Sequence, residues 1–335
     1  MSDDNTDDAR AVVADHYRRF AENEADPVSP LFADWARGVA SSPPLLERIA
    51  ALPRIKRQAN LVFASARWEG CPLDPFPAAG DWMLQHWEKI VPTILARSTQ
   101  TNEAARCATL LPELASIDGP IALIEVGMSA GFCLYPDRYA YRYQVGDTVA
   151  ELSPPVSRGH DGSPVVIDCA VSGPTPLPTR LPDVVWRAGV DLNPIDVDDP
   201  EQVRWLQTLV WPGQEGRVER IEAAAAVVRS DPPLVVRGDL VDELPALAAS
   251  APDDATLVVI HSAVLLYLTP ERRGAFVDVV RSLPAVWLAN ESDSALAELT
   301  APLPAGVDPR GHFVLRRDGR PLALTGHHGQ SLRFL

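Results

Sequence analysis

The sequence predicts an α/β protein built on a mostly parallel sheet of six or seven strands. The run IALIEV at residues 121–126 is apolar enough for a strand that is buried on both faces, and the glycine-bounded loop GMSAG follows it directly. Four later apolar runs have the same form, and helical patterns alternate with them. Strands that alternate with helices in this way are typical of a parallel sheet with a ligand site at its carboxyl edge.

Polar side chains end each of the five apolar runs. In chain order they are Glu125, Asp191, Asp239, His261 with Ser262, and Asn290 with Glu291. Because the carboxyl ends of parallel strands face one crevice, we expect these residues to line a single cleft. The alternative interpretation is five unrelated strand ends with solvated loops.

The region before the first strand is predicted to be a helical N-terminal domain over residues 1–116. ARAVVADHYRRFA repeats apolar residues at spacings of three and four, and Trp82, Trp87 and Ile90 form a stripe on a later helix. Aromatic residues at helical spacing usually belong to a core, so we interpret this stripe as packing and not as a ligand site. The α/β domain then takes residues 117–335.

An insert is predicted within the α/β domain at about residues 135–182. Short alternating segments broken by proline and glycine favour an antiparallel β insert between the first and second strands. Further along, Asp199 and Thr269 each precede a proline and are predicted to cap helices. The Asp318-Gly319 pair predicts a hairpin turn, with a last strand in QSLRFL after it.

The composition narrows the classes of partner. Thirty basic against 45 acidic residues give a net charge of -15, which opposes binding to nucleic acid or to an anionic membrane and favours a small cationic or neutral ligand. The acidic N-terminus does not resemble a signal peptide, and no apolar run is long enough to span a bilayer, so a cytoplasmic protein is expected. The four widely spaced cysteines include no C-x-x-C pair, and we expect neither a metal site nor disulfides. The oligomeric state is left open.

Three chemistries use a glycine loop after a strand. A dinucleotide fingerprint needs glycine at positions 127, 129 and 132, where this chain has Gly127, Ser129 and Phe132, and the Gly-Lys of a P-loop is absent from the loop. GMSAG does fit the G-x-S-x-G nucleophile elbow, with Ser129 as the nucleophile of a hydrolase and His261, His327 or His328 downstream as its base. That elbow follows several strands, whereas the region before residue 121 is helical, which disfavours a hydrolase.

At the same loop the chain resembles class I S-adenosylmethionine-dependent methyltransferases. Their first motif, of the E-x-G-x-[GS]-x-G kind, is matched by Glu125, Gly127, Ser129 and Gly131. The likeness extends over about residues 117–335. It implies a Rossmann-like sheet that ends in an antiparallel hairpin, with an acid after the second strand that holds the ribose and a polar contact to adenine after the third.

More closely, the chain resembles the actinobacterial DUF2332 family over nearly its whole length. The matching segments begin at Thr99, Leu123, Trp186 and His261. The function of that family is not known, so the expected activity rests on the general likeness to methyltransferases. Two departures are the insert, which can cover or occupy the crevice, and the His261-Ser262 end of the fourth strand, where many relatives carry an acid or an Asn-Pro-Pro-Tyr signature. The second departure disfavours methylation of DNA amino groups.

The predicted function is therefore transfer of a methyl group from S-adenosylmethionine to a small molecule. The alternative is a non-catalytic ligand-binding or interaction protein on the same fold. The resemblance implies a cofactor site formed by Glu125, Gly127, Ser129, Ala130, Gly131, Asp191, Asn193, Asp239 and Leu240.

Two catalytic and five substrate residues complete the prediction. His261 is the candidate base, because its ordinary pKa lies near neutrality, and Tyr267 is expected on the acceptor side. The candidate substrate contacts are Asn102, Glu103, Arg106, Asp137 and Tyr139. Structural roles remain the alternatives: a capped turn for Asp191, a backbone contact for His261, an internal ion pair or solvated helix face for the group at 102–106, and anchoring of the insert for Asp137 and Tyr139.

Overall fold

The computed structural model describes residues 3–100, 102–155, 165–174 and 176–335. The chain divides into two compact units. The helical unit comprises Met1–Thr101 with Arg204–Glu219, and the sheet unit comprises Asn102–Val203 with Arg220–Leu335.

Twelve α-helices are present in the described residues. They are α1 (Asp3–Phe20), α2 (Pro30–Ala40), α3 (Pro43–Ala50), α4 (Ala59–Trp68), α5 (Phe76–Gln85), α6 (Trp87–Ala96), α7 (Cys107–Ala115), α8 (Pro200–Thr208), α9 (Glu215–Ser230), α10 (Leu240–Ala248), α11 (Pro270–Ser282) and α12 (Asp293–Leu296). Single turns of 3₁₀-helix lie at Arg54–Lys56, Ala104–Arg106, Phe132–Leu134 and Leu265–Tyr267, and a π-helical turn lies at Ala21–Ala25. Helices α1 to α6 confirm the helical pattern predicted for the N-terminal region.

Aromatic side chains form the core of the helical unit. The ring centroid of Phe63 lies 5.1 Å from that of Phe32 and 5.5 Å from that of Trp35. Both pairs are in edge-to-face contact, an arrangement that the ring quadrupoles favour. Trp87 and Ile90 are buried in the same core. The interpretation of their stripe as packing is therefore confirmed.

The division of the chain differs from the predicted boundary at residue 116 in two places. Trp205 of α8 and Leu209, which follows the end of α8, pack in the core of the helical unit, which explains why Arg204–Glu219 belongs there. Residues 102–116 belong to the sheet unit, because Asn102 forms hydrogen bonds with the loop after the first strand. Neither contact is visible in a hydrophobic pattern.

Eleven strands form one sheet in the described part of the chain. They are β1 (Pro120–Val126), β2 (Ala140–Val145), β3 (Thr148–Leu152), β4 (Val166–Ser172), β5 (Asp183–Asp191), β6 (Leu234–Arg237), β7 (Thr256–Ser262), β8 (Val286–Glu291), β9 (Phe313–Arg317), β10 (Arg320–Thr325) and β11 (Ser331–Phe334). Their order across the sheet is β3-β2-β4-β11-β10-β9-β8-β7-β1-β5-β6.

Five neighbouring strands pair in parallel, in the order β6, β5, β1, β7 and β8. They correspond to the five apolar runs of the sequence. Among these five strands the order runs outward from β1 through β5 to β6, and on the other side of β1 through β7 to β8. Strands β2 to β4, which lie between β1 and β5 in the chain, are at the far edge of the sheet beyond β11. The sheet is thus mostly parallel, and the α/β class is confirmed. The direction of the strand order reverses between β1 and β7.

The C-terminal strands are antiparallel, as the Asp-Gly pair predicts. Strand β9 pairs with β8 and β10, and β10 pairs with β11. Asp318 and Gly319 have φ values of +52° and +80°, the left-handed conformation that a two-residue hairpin turn of type I′ requires. The hairpin and the last strand are therefore confirmed.

The insert has a different topology from the predicted one. Strand β2 is antiparallel to β3, but β4 is parallel to both β2 and β11. Thirteen sequence positions separate Leu152 of β3 from Val166 of β4, more than the tight turn of a hairpin contains, and β4 pairs with the side of β2 opposite to β3. The insert consequently extends the main sheet to eleven strands instead of forming a separate antiparallel piece. Residues 156–164 and 175 of the predicted insert lie outside the described residues.

Two predicted helix caps are present. Oδ1 of Asp199 accepts the N–H of Glu201 at 2.8 Å, and Oγ1 of Thr269 accepts the N–H of Arg272 at 3.3 Å. The described helices include none with the length and apolarity needed to cross a bilayer. The four cysteines are buried free thiols.

Candidate functional site

The candidate site lies at the carboxyl edge of the parallel strands, where the strand order reverses. Because β1 is parallel to β5 and β7, and β5 to β6, the predicted residues Glu125, Asp191, Asp239 and His261 all lie at this edge. A crevice at such a reversal is the usual ligand site of open parallel sheets. The shared edge expected from the sequence is confirmed.

The loop after β1, which we call the glycine turn (Gly127–Gly131), has a left-handed backbone at three positions. The φ values are +69° at Gly127, +50° at Ser129 and +72° at Gly131. Glycine adopts this conformation freely, but in Ser129 it costs roughly 1 to 2 kcal/mol. Ser129 and Ala130 are buried, and Oγ of Ser129 has no hydrogen-bond partner among the described residues.

Asn102 holds the glycine turn from the side. Its Nδ2 donates to the carbonyl of Met128 at 3.1 Å, and its Oδ1 accepts the N–H of Phe132 at 2.8 Å. Asn102 is buried, and both ends of its amide are engaged by the backbone. The predicted substrate contact is therefore corrected to a structural role.

Asp191 connects the end of β5 to the glycine turn. Its Oδ2 accepts the N–H of Ser129 at 2.9 Å, and its Oδ1 accepts the N–H of Asn193 at 2.7 Å. This is the geometry of the capped turn that was the alternative for Asp191. The carboxylate is only half-buried, and an ionised carboxylate has about four acceptor sites in all. A ribose contact by Asp191, with Asn193 beside it, stays a prediction.

Glu125 places a buried carboxyl group beside the glycine turn. Glu125 is 3% exposed, and its Oε2 has no hydrogen-bond partner within the part of the chain that the structure describes. Burial raises the pKa of the Glu125 carboxyl well above 4.5, and the proximity of Cys133 and Asp191 raises it further against the opposing charge of Arg106. A buried carboxyl with a strongly shifted pKa at a strand reversal is a candidate ligand contact.

The two glycines contact protein side chains and not open space. A Cβ atom on Gly127 would lie 2.4 Å from Cγ2 of Val264, and one on Gly131 would lie 2.8 Å from Cε of Met128. The Cβ sides of both glycines are therefore occupied by protein atoms, and their predicted part in a cofactor site stays a prediction. Close packing of Val264 and Met128 explains the need for glycine at both positions.

His261 points to the opposite face of the sheet from Glu125. Glu125 pairs in register with Ile260, so these two side chains share a face, and the side chain of His261 alternates to the other. There its Nε2 accepts the indole N–H of Trp287 at 2.9 Å. The proton must then reside on Nδ1, which donates to Oε1 of Glu291 at 2.8 Å.

The prediction that His261 acts as a base is corrected by this geometry. The side chain is fully buried, and both ring nitrogens have partners. No lone pair is left to accept a proton from a substrate or from Ser129. His261 has a structural role, but through the side chains of Trp287 and Glu291 and not through the backbone contact that was the alternative, and the alternation of strand side chains is the reason.

Tyr267 lies on the 3₁₀ turn Leu265–Tyr267 that follows β7. Its side chain is 71% exposed, and the neighbouring Leu266 is 47% exposed. The structure does not bring Tyr267 together with His261, which is buried on one face of β7. A role of Tyr267 on the acceptor side stays a prediction.

Asp239 and Leu240 occupy the start of α10. Oδ1 of Asp239 accepts the N–H of Val241 at 2.8 Å and also binds the guanidinium of Arg272. Leu240 packs into the core beside Leu244. Both residues therefore have structural contacts, and a contact of either one with adenine stays a prediction.

Arg106 and Glu103 form internal contacts. Arg106 donates from Nε to the carbonyl of His327 at 3.0 Å and from Nη1 to that of Ser262 at 3.3 Å. Oε1 of Glu103 accepts Nε–H of Arg220 at 2.8 Å. Both side chains are buried, so the alternative of an internal ion pair applies to Glu103, and substrate contacts by the two residues stay a prediction.

Asp137 and Tyr139 anchor the start of the insert. Oδ2 of Asp137 accepts Nη2–H of Arg187 at 2.8 Å, and the hydroxyl of Tyr139 donates to the carbonyl of Phe132 at 2.8 Å. Both residues are buried. The anchoring alternative therefore describes these contacts, and a substrate contact by either residue stays a prediction.

Two residues at the carboxyl edge, Val264 and Thr325, were not predicted from the sequence. Thr325 donates from its hydroxyl to Oδ1 of Asn290 at 2.6 Å, and Nδ2 of Asn290 donates to Oγ of Ser262 at 3.1 Å. The polar strand ends indicated Ser262 and Asn290, but Thr325 and Val264 carry no local signal. Only the pairing of distant strands brings them to this edge.

Comparison with known proteins gives a family and no activity. A family model described as "Uncharacterized protein conserved in bacteria (DUF2332)" matches residues 14–334. No curated protein and no solved structure matches the chain. Within the described ranges, no group of three or more histidine, cysteine, aspartate or glutamate side chains is arranged to hold a metal ion.

Proposed function

The chain belongs to the DUF2332 family, and because that family's description states no activity, we propose a function from the site itself: S-adenosylmethionine-dependent methyl transfer to a small molecule. One observation carries the proposal. A buried Glu125 carboxyl, whose Oε2 has no hydrogen-bond partner among the described residues, lies beside the glycine turn at the strand reversal, and Asp191 binds that turn from the next strand. Glu125, Ser129 and Asp191, three of the residues that carry the resemblance to methyltransferases, lie together at this point.

The residues at the turn suit parts of the cofactor. The half-buried carboxylate of Asp191 keeps acceptor capacity beyond its two backbone contacts, and paired ribose hydroxyls are donors that match it. Glu125 offers a carboxyl that a neighbouring cation would favour in its ionised form. We therefore propose Asp191, Glu125 and the backbone of the glycine turn as the cofactor contacts. When bound, S-adenosylmethionine supplies an activated methyl group on a sulfonium cation.

The structural role of His261 is compatible with this chemistry. Methyl transfer gains most of its rate from alignment of the reacting groups, so a strong base is not required in the site. The net charge of -15 also favours accumulation of a cationic ligand near the protein. The contribution proposed for this chain is thus to bind and orient.

Calorimetry on the full-length protein tests the proposal, with S-adenosylmethionine and S-adenosylhomocysteine as the two ligands. We expect both to bind, and Asp191→Ala to weaken each by about tenfold or more, because hydrogen bonds to a charged group contribute roughly 1.5 to 3 kcal/mol. Asp183→Ala is the matched control, since Asp183 begins the same strand at its other end. Absence of binding at millimolar ligand contradicts the proposal.

A non-catalytic ligand-binding protein is the second candidate, and the placement of His261 favours it. His261, the predicted base, forms hydrogen bonds to Trp287 and Glu291 through its two ring nitrogens. Incubation with isotope-labelled S-adenosylmethionine and a bacterial small-molecule extract separates the two functions. Label in a new small molecule supports the transferase, while tight binding without any transfer supports the second candidate.

A further inference from the structure

The segment that connects β7 to α11, which we call the β7 loop (Ala263–Leu268), begins with a strained residue. Ala263 has a φ of +60°. Among the described residues the other non-glycine residues with positive φ are Ser129, in the glycine turn, and Asp318, in a hairpin turn. Strain at the ends of two adjacent central strands is typical of segments that bind or switch.

Val264 in this loop covers the glycine turn. Its two γ-carbons lie 2.4 and 2.7 Å from the position that a Cβ of Gly127 would take. No atom of a ligand can occupy that space while Val264 remains there. Access to the Cβ side of Gly127 therefore depends on the position of the loop.

A carboxylate holds the base of the loop in place. Oε1 of Glu291 accepts the backbone N–H of Val264 at 2.9 Å and that of Leu265 at 3.3 Å. Arg273 adds a second contact, because its Nε donates to the carbonyl of Leu265 at 2.8 Å. Glu291 is completely buried, so both loop amides share an acceptor that water does not reach.

The end of the loop, unlike its base, is exposed to solvent. Leu265 is buried, but Leu266 and Tyr267 are 47% and 71% exposed. Leu265 lies in the hydrophobic core, and Val264 and Leu268 pack against that core, so the loop is attached by apolar burial as well as by the polar contacts at its base. Only Leu266 and Tyr267 have little packing to lose if they move. Segments with few buried apolar contacts are the ones that open most easily.

We propose that the β7 loop is a gate over the glycine turn and that Glu291 is the positioning residue that keeps it closed. A ligand reaches Gly127 when Val264 has moved away. The gate itself follows from the contacts above, and only the identity of its ligand rests on the proposed function. Two measurements separate these parts.

Hydrogen exchange of the full-length protein without ligand tests the gate. In Glu291→Gln the amides of the β7 loop should exchange about tenfold faster, because a charged acceptor binds N–H groups roughly twice as strongly as a neutral one. The amides of β1 should exchange at the same rate as before. Arg273→Ala, a change at a half-exposed position of α11, should accelerate hydrogen exchange of the same loop amides. This variant provides the test if Glu291→Gln does not fold. Unchanged loop exchange in the folded variants overturns the proposal.

Calorimetry with S-adenosylmethionine then tests the obstruction by Val264. Val264→Ala should bind several-fold more tightly than the wild type, since the space beside Gly127 is freed. Val279→Ala on α11 is the matched control and should bind like the wild type. Equal or weaker binding by Val264→Ala, when the wild type binds, overturns the role of Val264. If the loop opens in the exchange measurement and no variant binds, the gate is supported and the proposed cofactor is wrong.

Discussion

The backbone N–H of Ser129 donates a 2.9 Å hydrogen bond to Oδ2 of Asp191, across a separation of 62 residues in the chain. This bond fixes a left-handed residue of the glycine turn to the end of the neighbouring strand β5. Asp191 thus determines the shape of the turn whether or not a ligand is bound. Its stability effect and its ligand effect can be measured independently.

Asp191→Ala should lower the free energy of unfolding by about 1 to 3 kcal/mol, because the amides of Ser129 and Asn193 lose a charged acceptor. Asp191→Asn, which keeps one carbonyl oxygen, should lower it less. Urea unfolding of the three proteins measures the differences. Equal stability of Asp191→Ala and the wild type would show that the turn does not need this carboxylate.

Glu125 should make the stability depend on pH. Burial raises the pKa of its carboxyl well above 4.5, so between the unfolded and folded pKa values the native state holds a proton that the unfolded state has lost. The contribution of Glu125 is fully present below the unfolded pKa and is lost as the pH rises towards the folded pKa, at up to about 1.4 kcal/mol per pH unit.

Glu125→Gln isolates that effect, because glutamine does not titrate. Its free energy of unfolding should exceed that of the wild type increasingly as the pH rises through this window. Urea unfolding at a series of pH values gives both curves. Parallel curves would show that Glu125 does not hold the proton.

His261→Ala should lower the free energy of unfolding by roughly 2 to 4 kcal/mol, since a cavity forms and the buried groups of Trp287 and Glu291 lose their partner. His312→Ala is the matched control, because His312 is exposed. Thermal and urea unfolding measure the change. A His261→Ala protein as stable as the wild type would contradict the structural assignment.

Ser129 distinguishes a transferase from a hydrolase. Ser129→Ala should keep the affinity for S-adenosylmethionine within a few-fold, and a fluorophosphonate probe should not label the wild type, because His261 has no free nitrogen to activate the hydroxyl. Mass spectrometry of the treated protein gives the result. Stoichiometric labelling of Ser129 that the alanine change removes would establish a nucleophilic serine.

Ser129→Gly provides a measure of the backbone strain. At a φ of +50° glycine avoids a steric cost of about 1 to 2 kcal/mol that alanine retains, part of which is offset by the greater freedom of glycine in the unfolded chain. Ser129→Gly should therefore unfold at a higher urea concentration than Ser129→Ala. The reverse order would mean that the turn is not strained at this residue.

Local patterns in the sequence determined much of the architecture. Apolar runs with polar ends predicted parallel strands that share a carboxyl edge, because period and burial follow from the side chains themselves. The Asp318-Gly319 pair predicted the hairpin, since few residues adopt two successive left-handed conformations. The caps at Asp199 and Thr269 were visible for the same local reason.

The tertiary structure alone decided which of the polar strand ends belong to the candidate site. The side chain of His261 lies on the other face of the sheet from Glu125, because Glu125 pairs with Ile260 and His261 is the next residue of that strand. Val264 was brought to Gly127 in the same way, by the pairing of β1 with β7. Strand register and hydrogen-bond partners join residues that are far apart in the chain, so a one-residue difference that no local pattern records reverses the direction of a side chain.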